Sequence, residues 1–144
     1  MLISGHDFPD GLWYSVEHQV WARVEGGEAT VGITALGIRL AGGEIYMARP
    51  KAMGSIVEQD KSIAVVELAK SIVSVKSPVS GEVVAVNEAL GAQPELVHLD
   101  PYGAGWLARL RLADFAADQP RLVHGEAARE PLAHHAWLHR ADLE

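Results

Sequence analysis

The stretch AVVELAKSIVSVKSP, residues 64–78, decides how the chain reads. Two valine-rich runs, Ala64–Leu68 and Ile72–Val75, flank Ala69-Lys70-Ser71. Short β-branched runs this close together read as the two strands of a β-hairpin. None of the three intervening residues is Gly, Asn, Asp or Pro, the usual formers of a tight reversal. A lysine thus stands at the tip of a stiff hairpin. Such an amine is either simply solvated or a platform for modification, where an enzyme meets one rigidly presented lysine while a long attached arm keeps its freedom.

The flanking stretches continue the β texture. Val16–Val24 and Ala29–Thr34 are β-prone runs around Gly26-Gly27, a hairpin signal. ALGIRLAGGE predicts a short helix ended by Gly42-Gly43, and EIYMARP a strand stopped at Pro50. GSIVEQDKSIAVVEL reads as strand, polar turn, strand, and SIVSVKSPVSGEVVAVN as two strands around Pro78–Gly81. Beyond Asn87 come a helix candidate at Pro94–Leu99, a Gly-rich turn and the strand Trp106–Leu112. Residues 113–144, richer in Ala, His and Arg, look helical in patches. Many short, closely spaced strands predict a β-rich sandwich or barrel-like fold.

Composition narrows the function classes. The 144 residues are 49% hydrophobic and 22% charged, with mean hydropathy +0.07, as in ordinary globular proteins. There is no cysteine, so disulfides, thiolate metal sites and cysteine nucleophiles are all excluded. A formal net charge of −7 opposes nucleic-acid and anionic-membrane binding and favours protein partners with basic patches. The start, MLISGHDFPDG, lacks a signal-peptide pattern, and no apolar run reaches membrane-spanning length, so a cytoplasmic location is expected.

Among seven histidines, His135 and His139 are spaced i, i+4, as zinc ligands on one helix face would be. With no acidic base between them they read as a solvated tail, and no metal site is assigned. Glu17-His18 falls within the run read as a strand, where neighbours point to opposite faces, so no catalytic pair is assigned either. Trp21 and Trp106 are expected in or near the core rather than stacked on a ligand. Pro78, Gly81, Pro101, Gly103 and Gly105 read as turn and close-approach residues.

The ordered set Glu67, Lys70, Ser77-Pro78, Gly81, Asn87, Pro94-Glu95-Leu96, Pro101-Tyr102-Gly103 and Gly105-Trp106 resembles the lipoyl carrier proteins related to glycine-cleavage H protein. The similarity runs from about Tyr14 to Leu112. It implies a lipoyl/biotinyl-domain-like sandwich (barrel-sandwich hybrid) of small antiparallel sheets with the lysine on a hairpin turn. The chain then divides into an N-terminal segment (1–13), a carrier domain (14–112) and a helical extension (113–144). The resemblance further implies lipoate in amide linkage to Lys70, with Glu67 positioning the lysine or being read by the lipoylating ligase or transferase. A protein of this kind is a non-catalytic carrier.

Two pathways use such carriers. The glycine-cleavage H proteins ferry an aminomethyl group from glycine decarboxylase to the aminomethyltransferase and are reoxidised by dihydrolipoamide dehydrogenase. A divergent branch in sulfur-oxidising prokaryotes carries sulfur for a heterodisulfide-reductase-like complex. Here His18-Gln19-Val20-Trp21 stands where a compact His-Glu-Trp is usual, and ARPKAMG and VKSPVSG resemble the divergent branch. The expectation is therefore a sulfur carrier, with the glycine-cleavage carrier as the alternative.

Overall fold

The computed structural model describes residues 1–143. A small ribbon, β1 (Leu2–Ile3) with β2 (His6–Asp7), precedes β3 (Trp13–Ser15), β4 (Val20–Glu25) and β5 (Glu28–Ile33). The single run expected over Val16–Val24 is broken by a turn. Gln19 there takes φ +53, held by its side-chain amide, which donates to the Val16 carbonyl and accepts from the Thr34 hydroxyl. The Gly26-Gly27 reversal forms as expected, with Glu25 opposite Glu28 and Gly26 at φ +61.

Thr34 caps α1 (Ala35–Ala41) by accepting from the Gly37 N–H, and Gly42 and Gly43, both at positive φ, end it. The chain continues through β6 (Met47–Pro50), β7 (Ile56–Val57), β8 (Ser62–Glu67), β9 (Ile72–Lys76) and β10 (Gly81–Val86). After α2 (Leu96–Leu99) come β11 (Ala108–Leu112), α3 (Phe115–Asp118), β12 (Val123–His124) and α4 (Arg129–Leu138).

The strands form two antiparallel layers of unequal size: seven strands in the order β12-β3-β4-β5-β11-β10-β7, and three in the order β6-β8-β9. They make an open sandwich, not a closed barrel. Val31, Val83, Ala108 and Leu110 of the large sheet share one core with Ile63 and Val66 of the small one. Phe8, Tyr14, Trp21, Leu36, Leu132 and Ala136 form a second core beneath α1 and α4. The C-terminal residues join the sheet, because Val123 and His124 pair with Tyr14 and Trp13. Trp13 stacks on His124 at 4.2 Å and meets Phe115 edge-on at 5.1 Å.

Two glycines are fixed by close approach. Gly81 lies against the Arg111 carbonyl where β10 meets β11, leaving no room for a Cβ. Gly32 lies opposite Trp21 in the β4–β5 ladder, and a Cβ there would stand 2.6 Å from the indole.

Candidate functional site

Lys70 occupies the tip of the β8–β9 hairpin, and Ala69, Lys70 and Ser71 are all exposed. Glu67 pairs with Ile72, and the Leu68 N–H donates to the Ser71 carbonyl at 2.9 Å, leaving Ala69 and Lys70 to turn the chain. Among the described residues, positive φ outside glycine is confined to Ser4, Gln19 and Asp60. The tip therefore reverses with both φ values negative, and needs neither the Gly nor the Asn that mirror-image turns require. Among the described residues, the Lys70 ammonium has no hydrogen-bond or ion-pair partner.

The base of the hairpin is held firmly. Leu68 is buried against Gly42, at the C-cap of α1, and the Tyr46 N–H donates to the Glu67 carbonyl at 2.8 Å. Glu67 is half-buried on the central strand, with Met47 and Ile72 across from it, and its carboxylate has no partner among the described residues. A fixed base under a free tip holds one amine out toward solvent.

A cleft of about 440 Å³ runs along β9. Ile33, Ile38, Val66 and Val73 supply apolar walls, while Glu17, His18, His135, His139 and Asp142 contribute polar groups. Two expectations are corrected here. Glu17 and His18 lie in a turn, not a strand, and both face this cleft. His135 and His139 do not belong to a solvated tail: α4 buries Leu132 and Ala136, which brings both imidazoles to the cleft with their centroids 4.3 Å apart. Burial, then the neighbouring His139 and His134, push the His135 pKa below its ordinary value. Among the described residues no group of three or more His, Asp or Glu could hold a metal ion, and no helix is long and apolar enough to cross a membrane.

The other motif residues form scaffold. Ser77 donates to the Val79 carbonyl at 2.6 Å within the Pro78–Gly81 turn. Asn87 donates to the Ala104 and Trp106 carbonyls at 2.7 and 2.8 Å, fixing the Gly-rich turn before β11. The Tyr102 hydroxyl donates to the Asp7 carbonyl and accepts from the Ala35 N–H, and the Trp21 indole donates to Pro101. Trp21 is fully buried, whereas Trp106 is half-buried against the second core. His98 accepts the Ile45 N–H at Nδ1, which fixes the approach to β6.

The family model described as "Glycine cleavage H-protein" matches residues 12–135. The chain belongs to the glycine cleavage H-protein family. Members of this family are lipoyl carriers with lipoate attached to a lysine, and they are not catalysts. The chain is 47% identical over 119 residues to the glycine cleavage system H protein of Aeromonas hydrophila, covering 82% of this chain and 90% of that one. Against "Glycine cleavage system H protein 2" of Aquifex aeolicus the identity is 40% over 136 residues, covering 94% and 83%. The crystal structure of the H protein from Mycobacterium marinum superposes with a TM-score of 0.72 at 25% identity, covering 91% of this chain and 98% of that one. These relatives bear glycine-cleavage names; none carries a sulfur-oxidation name.

Gln19 lies on the cleft wall, and its partner Thr34, fully buried behind it, is a residue that the sequence did not single out. The left-handed backbone of Gln19 depends on Thr34, fifteen residues on, and leaves no local signature.

Proposed function

We propose that Lys70 bears the lipoyl group and that the protein is the aminomethyl carrier of a glycine-cleavage system. The observation that carries the reading is the placement of Lys70, of the chain's four lysines, at the free tip of the β8–β9 hairpin. The chain fits the group: the amine is exposed and unpaired, and Val66 and Val73, close to the tip on its two strands, begin an apolar-walled cleft. Attachment is an acylation in which Nζ attacks an activated lipoyl carboxyl, the amide C–N bond forms, the activating group leaves with its bonding pair, and the amine proton passes to solvent. Bound lipoate supplies a dithiol/disulfide pair that carries a group as a thio-adduct and can be reoxidised.

The protein's part is presentation. Leu68 and the Glu67 carbonyl pin the base, the β8–β9 ladder stiffens the stalk, and Ala69 and Ser71 keep the neighbourhood of Nζ small. The carrier unit is residues 14–112, onto which β12 and α4 pack as an edge strand and a second-core helix. Its partners are a lipoylating ligase or transferase, glycine decarboxylase, the aminomethyltransferase and dihydrolipoamide dehydrogenase, all met in the cytoplasm.

A sulfur carrier working with a heterodisulfide-reductase-like complex is the second reading. The four-residue His18-Gln19-Val20-Trp21, standing where the H-protein pattern has a compact His-Glu-Trp, favours it. Glycine–bicarbonate exchange with the lipoylated protein and glycine decarboxylase separates the two. Robust exchange, lost in Lys70→Ala, is the expected result; a Lys70-lipoylated protein inert in exchange would assign the cargo to sulfur.

A further inference from the structure

Charge is unevenly divided in this chain. Residues 46–77, which span the three strands of the small sheet together with the short β7, hold Arg49 and all four lysines against Glu58, Asp60 and Glu67. That is five cations to three carboxylates, whereas the remaining residues hold seven cations to sixteen carboxylates. One of the three local carboxylates is already engaged, because Asp60 pairs with Arg121 at 2.6 Å and lies 3.5 Å from His18. A basic module therefore sits on an acidic body.

The strand register resolves this into a face. Met47, Glu67 and Ile72 form one outward row across the sheet, and Arg49, Val65 and Ser74 the next. Alternation places Lys51 beyond Arg49 and Lys76 beyond Ser74, and the Lys76 ammonium donates to the Ser74 hydroxyl. Ile72 is 69% exposed and Tyr46, at the edge of the sheet, 58%. Among the described residues, Arg49, Lys51 and Lys76 have no ion-pair partner, and Glu67 is the one carboxylate in these rows. The result is an apolar centre of Met47, Val65 and Ile72 inside a cationic rim, ending at Lys70.

We infer that this outer face is the docking surface for the enzyme that acylates Lys70, which covers it with an apolar depression rimmed by carboxylates. The inference rests on Lys70 as the attachment site. The acylating enzyme must bring Nζ itself to bonding distance, so it must cover the tip and the rows beneath. An enzyme acting later, at the far end of an attached arm, need not. Opposite charge on the two surfaces speeds the encounter, and an exposed isoleucine beside the target supplies a desolvated anchor.

The test follows lipoylation of the full apo-protein by a purified ATP-dependent bacterial lipoate ligase, reading the mass gain at Lys70. In the wild type, kcat/KM should fall about tenfold between low and high salt. Arg49→Glu, Lys76→Glu and Ile72→Ala should each lower it about tenfold, and the charge reversals should flatten the salt dependence. Arg129→Glu, on α4, should change it less than about twofold, and circular dichroism verifies folding of each variant. Folded face variants lipoylated at the wild-type rate would overturn the inference while leaving Lys70 as the site. Unchanged lipoylation with slowed reoxidation by dihydrolipoamide dehydrogenase would also overturn it, giving the face to a later enzyme. No mass gain at wild-type Lys70 would instead overturn the attachment site itself.

Discussion

The buried carboxylate of Asp118 holds Ser80 by both of its donors, the backbone N–H at 2.7 Å and the hydroxyl at 3.1 Å. Gln59 completes the clasp by donating to the Pro78 and Asp118 carbonyls. The segment after β11 thereby grips the turn between β9 and β10, at the end of the hairpin remote from Lys70. Asp118→Ala leaves these donors without their acceptor and should cost about 1–3 kcal/mol in urea unfolding. The lipoylation rate at Lys70, measured well below the unfolding transition, should be unchanged.

Gly32 and Trp21 make a second dependent pair. Gly32→Ala places a methyl 2.6 Å from a fully buried indole, within a strand that has no slack. Overpacking of this kind costs about 1–3 kcal/mol. The expected signature is a lower urea midpoint with altered near-ultraviolet circular dichroism, as Trp21 is forced out of place.

Acid should weaken the fold through His135. Its folded-state pKa lies below the ordinary 6.5, through burial and its neighbours His139 and His134. The unfolded chain therefore binds the proton more readily. This contribution is complete above pH 6.5 and is lost as pH falls toward the depressed folded value. Denaturant unfolding across pH 8 to 5 should show stability declining below about 6.5. The decline should be shallower in His135→Gln.

Lys70→Arg should separate presentation from stability. The side chain is exposed at the tip, so unfolding free energy should move by less than about 0.5 kcal/mol. Arginine has no acylable amine under these conditions. Intact-mass measurement after exposure to lipoate, ATP and ligase should show no increment.

Local signals in the sequence accounted for much of this architecture. Gly26-Gly27, Gly42-Gly43 and Pro78–Gly81 each mark a reversal that forms, and the paired valine runs around Lys70 are the hairpin itself. Long-range relationships were not legible. Nothing local to Val16–Val24 announces the Gln19 break, which Thr34 stabilises, and nothing in Leu122–Gly125 announces a strand partner near residue 13. The lysine tip was legible as a position but not as a turn type, since Ala69 and Lys70 reverse the chain without positive φ. His135 and His139 read as a tail because only the packing of Leu132 and Ala136 brings them to the cleft.

The pairing of β12 with β3 has a consequence for how the protein is made. Strand β3 is covered only when residues 123 and 124 have emerged from the ribosome, yet Lys70 and its hairpin emerge well before. A nascent chain halted in between would expose the hydrogen-bonding groups of β3 and the indole of Trp13, an edge open to aggregation. Strand β12, made long after the hairpin, is thus what covers the open edge of β3.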